Sequence, residues 1–398
     1  MSKESLEDFR EGLHVFVINM VPAGVVEQTE PRSPISPSLM RRKRPLVLRN
    51  AAGGWGGLSL LQNLGVAGLN VTWRLHLLGS STVWEADCRF LKATVGQFLE
   101  WEQSVTPLPA ESKNPFKEYD RRTHWAYADY KHVKELDDDW RRVLEPVIDW
   151  SSLGCDQTAA DSTVWLGTKG SHTPLHHDTY GVNLVAQLHG RKKWVLYSPD
   201  DTASLYPTRI PYEESSVYSK VDARAPDFDT FPLLAEARPV VVTLEPGDVL
   251  FVPKHWWHFV ETVDTSLSVN VWVDAPDDAY DRAKEAIARV LVTSLAGGLD
   301  AEVGPSWLNP TEDEVWPLEE TIQVAGLAFQ GLEAYTEEIS SDRGDKGATT
   351  VRTDGAFSLR AIVDSITAPD VLQLVVERML QGRDRDTTPP PDTKESPC

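Results

Sequence analysis

His176-His177-Asp178, answered 80 residues later by His258 in Trp256-Trp257-His258, constrains this chain more than any other feature. On an extended strand alternate side chains share a face, so His176 and Asp178 can point at one ion while His177 points away. A third ligand so distant in sequence has to come from another strand of the same barrel. Two imidazoles and one carboxylate are the set that holds non-haem Fe(II) and leaves coordination positions open. H-x-D by itself is a weak signal in a chain with ten histidines. The surrounding residues decide what it means.

Between 161 and 275 the chain reads as short strands, Asn183–Leu188, Lys193–Tyr197, Val240–Leu244, Val249–Val252 and Ser266–Val273, separated by Gly, Pro and Asp turns. Many short strands with such turns predict a mainly β fold with flanking helices, a jelly roll of cupin-like architecture. Before it, residues 45–160 alternate apolar runs with helical patterns, and the spacing of Phe90, Leu91, Val95, Phe98, Leu99 and Trp101 predicts a helix over 90–101. Residues 1–44 form an N-terminal segment whose Pro- and Ser-rich part, 22–44, reads as a mobile insertion ending in Arg41-Arg42-Lys43-Arg44. That basic run is read as a solvated flank ahead of a nuclear address. Beyond 276 the period becomes helical. Tyr280, Ala283, Ile287, Val290 and Leu291 mark one face, stopped by Gly297-Gly298. Thr311-Glu312-Asp313-Glu314 reads as a capping box for a second helix reaching about Glu338. A polar linker, 341–355, precedes a final helix around Val371–Leu380 in a helical region spanning 276–382, and 383–398 are expected to be a disordered tail.

A formal net charge of −21 argues against a general nucleic-acid binder, which needs a basic face to displace counterions. It suits a basic protein or peptide substrate, although acidity is also a common route to solubility. Three scattered cysteines, Cys88, Cys155 and Cys398, fit a reducing compartment without a disulfide framework. The N-terminus lacks the apolar core of a signal peptide, and no apolar run approaches the ~18 residues of a membrane helix. The expectation is a soluble, cytoplasmic protein with access to the nucleus as the alternative.

Thr173-Pro174-Leu175-His176-His177-Asp178, Asn183-Leu184-Val185-Ala186-Gln187, Gly190-Arg191-Lys192-Lys193-Trp194, Glu245-Pro246-Gly247-Asp248, Trp256-Trp257-His258 and Ser268-Val269-Asn270-Val271-Trp272 follow one another in an order that resembles the JmjC family of Fe(II)- and 2-oxoglutarate-dependent oxygenases. The resemblance covers roughly residues 44–275 and is most specific between 162 and 273. It implies a double-stranded β-helix barrel with His176, Asp178 and His258 as metal ligands, and leaves His172, His177, His189 and His255 outside the ligand set. It also implies that Lys192 supplies the cation for the distal carboxylate of 2-oxoglutarate, because an unpaired buried charge is expensive. Lys193 is expected on the opposite face. Thr173 matches a hydroxyl that donates to the same carboxylate, and Tyr127 matches a tyrosine with that role, with Tyr130 as its competitor. Asn183 and Asn270 match amides at the metal-proximal end of the co-substrate, against a reading as buried amides that pin adjacent strands. Trp272 is expected to fill space beside the pocket, and Trp256-Trp257 to pack behind the third ligand and exclude water.

The reaction implied is decarboxylation of 2-oxoglutarate to succinate and CO2, with O2, coupled to hydroxylation of a substrate C–H or to removal of an N-methyl group. With no zinc-ribbon or chromatin-reader pattern in the sequence, hydroxylation of a protein is preferred over demethylation. The stretch Leu205–Ser216 is similar to a branch of the family associated with small heat-shock proteins, which implies such a protein as a partner and the stress response as the setting. The alternatives are a catalytically silent scaffold that acts as an interaction protein, and a tRNA-base hydroxylase, which the net charge disfavours. The helices after 276 are read either as a homodimer interface or as a cover for the barrel. No membrane association is expected.

Overall fold

A computed structural model of the protein describes residues 26–29, 42–80, 84–275, 277–299, 303–311, 317–342 and 359–383. Among them fifteen strands form two sheets. In chain order the first eight are β1 (Glu27–Thr29), β2 (Leu46–Leu48), β3 (Asn70–Leu77), β4 (Arg89–Thr94), β5 (His124–His132), β6 (Thr163–Gly167), β7 (His172–Asp178) and β8 (Val182–His189). The remaining seven are β9 (Lys192–Tyr197), β10 (Pro207–Glu213), β11 (Ser216–Ser219), β12 (Val240–Leu244), β13 (Val249–Val252), β14 (Trp257–Thr262) and β15 (Ser266–Val273). The larger sheet has the order β1-β2-β13-β8-β15-β6-β5-β3-β4, and the smaller β10-β11-β7-β14-β9-β12. All named pairs are antiparallel except β1 with β2.

Period-2 alternation explains how one run of sequence serves two layers. On β8, Leu184, Ala186 and Leu188 join a core with Leu60, Leu61 and Leu64, while Val185 faces the other way into a cluster with Trp194, Leu196 and Val260 of the opposite sheet. On β15, Leu267, Val269 and Val271 face that first core, and Ser268, Asn270 and Trp272 face the interior cavity. The larger sheet is thus covered on both faces, by helices α1 (Gly57–Val66), α2 (Val95–Gln103) and α3 (Asp138–Leu144) on one side and by the smaller sheet on the other.

The strands of residues 45–160 are continuous with those of 161–275. β2, β3, β4 and β5 hydrogen-bond into the same sheet as β6, β8, β13 and β15. The helix expected over 90–101 is corrected: Arg89–Thr94 is a strand paired with β3, and the helix starts only at Val95. Thr94 caps it, its hydroxyl accepting from Gln97 N–H while Gln97 Oε1 accepts from Thr94 N–H. This reciprocal pair is a start signal that the apolar spacing of Phe90 and Leu91 concealed. Part of the segment expected to be a mobile insertion is also ordered, since Glu27–Thr29 is an edge strand on β2. Val26 beside it is buried, and residues 22–25 and 30–41, including Arg41 of the basic run, lie outside the described set.

The chain divides into two compact units, one of residues to 281 with 296–315 and one of 282–295 with 316–398. The helices after the barrel are α4 (Asp278–Gly297), α5 (Leu318–Asp342), α6 (Leu359–Ile366) and α7 (Pro369–Arg383). In the second unit Ala286, Val290, Ala325 and Ile362 pack together. Tyr280, expected on the apolar face of α4, is instead 60% exposed. The second helix is described from Leu318 to Asp342, and in its first turn Thr321 donates to the Pro317 carbonyl. Residues 312–316, 343–358 and 384–398, which hold most of the expected capping box and linker and the tail, lie outside the described residues.

Candidate active site

β7 and β14 are neighbours in the smaller sheet, and His176 and His258 are direct cross-strand partners. That register turns two residues 82 positions apart into adjacent side chains on one face, with ring centroids 4.2 Å apart. Asp178, two residues along β7, points the same way, and its Oδ1 lies 3.9 Å from His176 Nε2. One ligand atom from each of the three residues falls within 4.8 Å of the others, and all three are buried.

Both imidazoles are held in the tautomer that a metal requires. His176 Nδ1 is 2.8 Å from the Pro174 carbonyl and His258 Nδ1 is 2.9 Å from the Trp256 carbonyl. A carbonyl only accepts, so each Nδ1 carries the hydrogen and each Nε2 keeps its lone pair. Burial, followed by the neighbouring His258, pushes the His176 imidazole down to about 4, so the ring is neutral at ordinary pH. Asp178 is oriented from its other oxygen, where Oδ2 accepts from Trp272 Nε1 at 3.2 Å and from Asn183 Nδ2 at 3.3 Å.

Asn183 is itself fixed by a relay across β8, β15 and β6. Trp165 Nε1 donates to Asn270 Oδ1 at 2.7 Å, and Asn270 Nδ2 donates to Asn183 Oδ1 at 2.8 Å. The structure therefore places both amides in one chain that ends on the Asp178 carboxylate. It corrects the space-filling expectation for Trp272, whose indole N–H is a hydrogen-bond donor to Asp178. Trp165, at the head of the relay, carried no signal in the sequence.

Among the described residues the other histidines are not part of the triad. His177 stands edge-on to Trp257 at 4.6 Å on the opposite face of the sheet, and His172 packs against Trp125 at 5.3 Å. His255 adopts φ 68°, its N–H donating to the Asp178 carbonyl and its ring lying 2.8 Å from the Thr179 carbonyl. It ties the loop before β14 to the end of β7. Of the two tryptophans before the third ligand, Trp256 lies in the core between the sheets and Trp257 in the layer outside the smaller sheet.

Lys192 projects into the same cavity from β9 and is 2% exposed. Its Nζ donates to Tyr127 Oη at 3.0 Å and to Ser268 Oγ at 2.9 Å, and stands 5.1 Å from the centre of the Tyr127 ring. Thr173 hydrogen-bonds the Tyr127 hydroxyl. Among the described residues no carboxylate lies within ion-pair distance of this ammonium, and burial lowers its pKa to about 7. A buried cation among hydroxyls, with its anion lacking, is the arrangement that accepts a ligand carboxylate. Tyr127 takes this place, whereas Tyr130 lies over Trp165 at 4.6 Å. Ser268 belongs to the sequence pattern, which carries no signal of its pairing with Lys192.

The cavity, about 640 Å³, runs from Lys192 past the triad to a wall that contains Arg74, Glu85, Asp129, Tyr130 and Glu213. Its inner part is bounded by the apolar side chains of Val185, Trp194 and Val260.

Residues 89–279 match the model of a cupin-like domain. The chain is 41% identical over 302 residues to the HSPB1-associated protein 1 of Mus musculus, covering 73% of this chain and 62% of that protein. It is 36% identical over 358 residues to the HSPB1-associated protein 1 of Homo sapiens, covering 87% of this chain and 71% of the relative. A shorter match, 34% over 146 residues, reaches the Lysine-specific demethylase 8 of Xenopus tropicalis, covering 36% of this chain and 31% of that one. The chain spans about half to two-thirds of the length of most of the HSPB1-associated relatives that it matches.

Proposed function

Because this chain belongs to the cupin-like JmjC family, alongside the HSPB1-associated proteins, we propose that it is an Fe(II)- and 2-oxoglutarate-dependent oxygenase that hydroxylates a protein. The observation that carries this reading is the pairing, in one cavity, of a His-Asp-His site with a buried ammonium that, among the described residues, has no carboxylate within ion-pair distance. When bound, Fe(II) and 2-oxoglutarate supply, with O2, oxidation of a C–H bond coupled to release of succinate and CO2. His176, Asp178 and His258 would hold the metal, leaving positions for the oxo acid and for O2. Lys192 would bind the distal carboxylate, with Tyr127, Thr173 and Ser268 orienting it. Trp272 and Asn183 keep Asp178 Oδ2 occupied, which would leave Oδ1 as the oxygen to hold the metal.

The test is anaerobic titration of the purified protein with Fe(II) and 2-oxoglutarate, followed by the visible charge-transfer band of the chelate. The wild type should show the band, His258→Ala should lose it, and Lys192→Ala should require far more 2-oxoglutarate. A folded wild-type protein without the band would turn the reading toward a scaffold. The relatives' names favour a second, compatible reading, association with a small heat-shock protein. Purified HSPB1 should then co-elute with this chain, and Asp178→Ala should leave that binding intact. Failure to co-elute removes this second reading.

A further inference from the structure

The turn that follows Asp178 is gripped from outside the ligand set. Thr179, Tyr180 and Gly181 alone join the end of β7 to β8, whose second residue is Asn183. Their main chain is held at three points. Thr179 N–H donates to the Ser215 carbonyl at 2.8 Å, His255 Nε2 lies 2.8 Å from the Thr179 carbonyl, and Gly181 N–H donates to Asp278 Oδ2 at 3.0 Å. A carbonyl only accepts, so His255 Nε2 carries the hydrogen. The His255 N–H donates to the carbonyl of Asp178 itself, at 2.8 Å. His255 thus holds two consecutive carbonyls at the end of β7, one with its main chain and one with its ring, three residues ahead of the ligand His258.

Both residues that meet the Thr179 main chain have left-handed backbones, Ser215 at φ 62° and His255 at φ 68°, a region that residues with a side chain rarely occupy. Such a conformation persists where the surroundings enforce it. Core packing does not enforce it at His255, whose side chain is 37% exposed. Its ring stands edge-on to His177 at 5.7 Å, and the nitrogen that faces Thr179 also lies 3.6 Å from Asp281 Oδ2. Lys254, one residue earlier, anchors the same loop. Its Nζ is 2.9, 3.0 and 2.7 Å from the carboxylates of Asp277, Asp278 and Asp281. Asp278 joins the two segments, since one of its oxygens accepts from Gly181 and the other from Lys254. The turn after one ligand and the loop before another therefore meet on the first residues of α4.

We propose that His255 is a positioning residue of the metal centre, an inference that rests on the reading of His176, Asp178 and His258 as its ligands. Trp272 and Asn183 set the rotation of the Asp178 carboxylate. His255 sets the place of its main chain relative to the strand that carries His258, with Lys254, Asp278 and Asp281 as the anchors of the clamp. A main-chain shift would carry the whole carboxylate away from the imidazoles, whatever its rotation.

The experiment loads the full chain anaerobically with Co(II), whose visible absorption reports ligand geometry, and measures affinity by competition with a chelator. His258→Ala should lose the absorption, which assigns it to the triad. His255→Ala keeps the main-chain N–H and removes the ring. Its Co(II) band should change in position and intensity, and its affinity should fall about tenfold, the lower end of what groups that orient metal ligands contribute. His255→Gln, whose amide N–H reaches toward the place of Nε2, should restore both. His255→Gly, which also relaxes the left-handed backbone, should behave as the alanine protein does. Asp281→Asn should shift the band the same way by less. Leu60→Ala, a truncation in the core beneath α1, controls for lost stability and should keep the wild-type band. A wild-type band and affinity in His255→Ala, recovery in His255→Gly, an equal shift in Leu60→Ala, or absorption that survives in His258→Ala overturns the proposal. Should His255→Ala not fold, Asp281→Asn decides, and a wild-type band there overturns it. The two readings fail separately: a Co(II) band that depends on His255, without the Fe(II)–2-oxoglutarate band, defeats the oxygenase, and the latter band with no dependence on His255 defeats the clamp.

Discussion

Replacing Lys192 by methionine should stabilise the apo protein while it weakens 2-oxoglutarate binding. Burial lowers the Lys192 pKa from 10.5 to about 7. At about 1.4 kcal/mol per pKa unit, keeping this group charged in the fold costs about 5 kcal/mol. Between pH 7 and 10.5 the unfolded chain holds the proton that the folded chain has released, so wild-type stability rises with pH across that window, and below pH 7 the whole penalty is present. Methionine keeps the length of the side chain and has no charge to desolvate. Against this stand two lost hydrogen bonds, to Tyr127 and Ser268, at about 1 kcal/mol each, and about 1 kcal/mol more for the stranded Ser268 hydroxyl. The balance at pH 6.5 is a gain of about 1–2 kcal/mol. The difference between mutant and wild type should then move by about 3 kcal/mol against the mutant between pH 6.5 and 9.5, as the penalty on the lysine disappears. Urea unfolding of both proteins at the two pH values measures it. In parallel, 2-oxoglutarate affinity should fall at least about 30-fold, the effect of removing one partner of a buried charge pair. A mutant less stable than wild type by more than about 2 kcal/mol at pH 6.5, or a difference that does not change with pH, would refute the reasoning that this lysine is held for a ligand at the expense of the fold.

Calorimetric titration of 2-oxoglutarate at pH 8, in buffers of different ionisation heat, should detect uptake of close to one proton, because a carboxylate beside Lys192 restores the ammonium. Trp272→Phe, which keeps the ring and removes the N–H to Asp178, should weaken metal binding about 10- to 100-fold with little change in unfolding midpoint, measured by competition with a chelator. Arg74→Met should destabilise the fold by about 3–5 kcal/mol in urea unfolding, since it leaves Glu85 and Asp129 buried without their cation. Asp278→Ala should cost about 2–3 kcal/mol in the same assay, because that carboxylate accepts from Gly181 N–H, Ala275 N–H and Lys254 Nζ at once.

The parts of the site that the sequence made legible are those that strand alternation controls. His176 and Asp178 share a face because they are two apart, and Lys192 and Lys193 fall on opposite faces because they are adjacent. The cross-strand register that brings His258 onto His176 could be expected only as a consequence of the ligand set. Helix starts proved harder. A strand of the type Arg89–Thr94 carries apolar residues at spacings that also fit a helix, and only the Thr94–Gln97 cap marks where one ends and the other begins.

Alternation also explains what stayed hidden. On a regular β5, Tyr127 and Asp129 would share a face and Tyr130 would turn away from it. The bulge at Asp129-Tyr130 breaks that rule and brings all three to one cavity, with Tyr130 at φ 53°. The relay from Trp165 to Asp178 joins residues 105, 87 and 5 positions apart, and Asn309 meets Glu85 across 224. Contacts of that kind exist only once the sheet has closed. His176 and Asp178 are thus local in pattern, while His258 and the residues that orient the triad are brought in by topology. Substitutions at Trp165, Asn309 or Tyr130 should therefore alter metal orientation or ligand choice while the ligand motif itself stays intact.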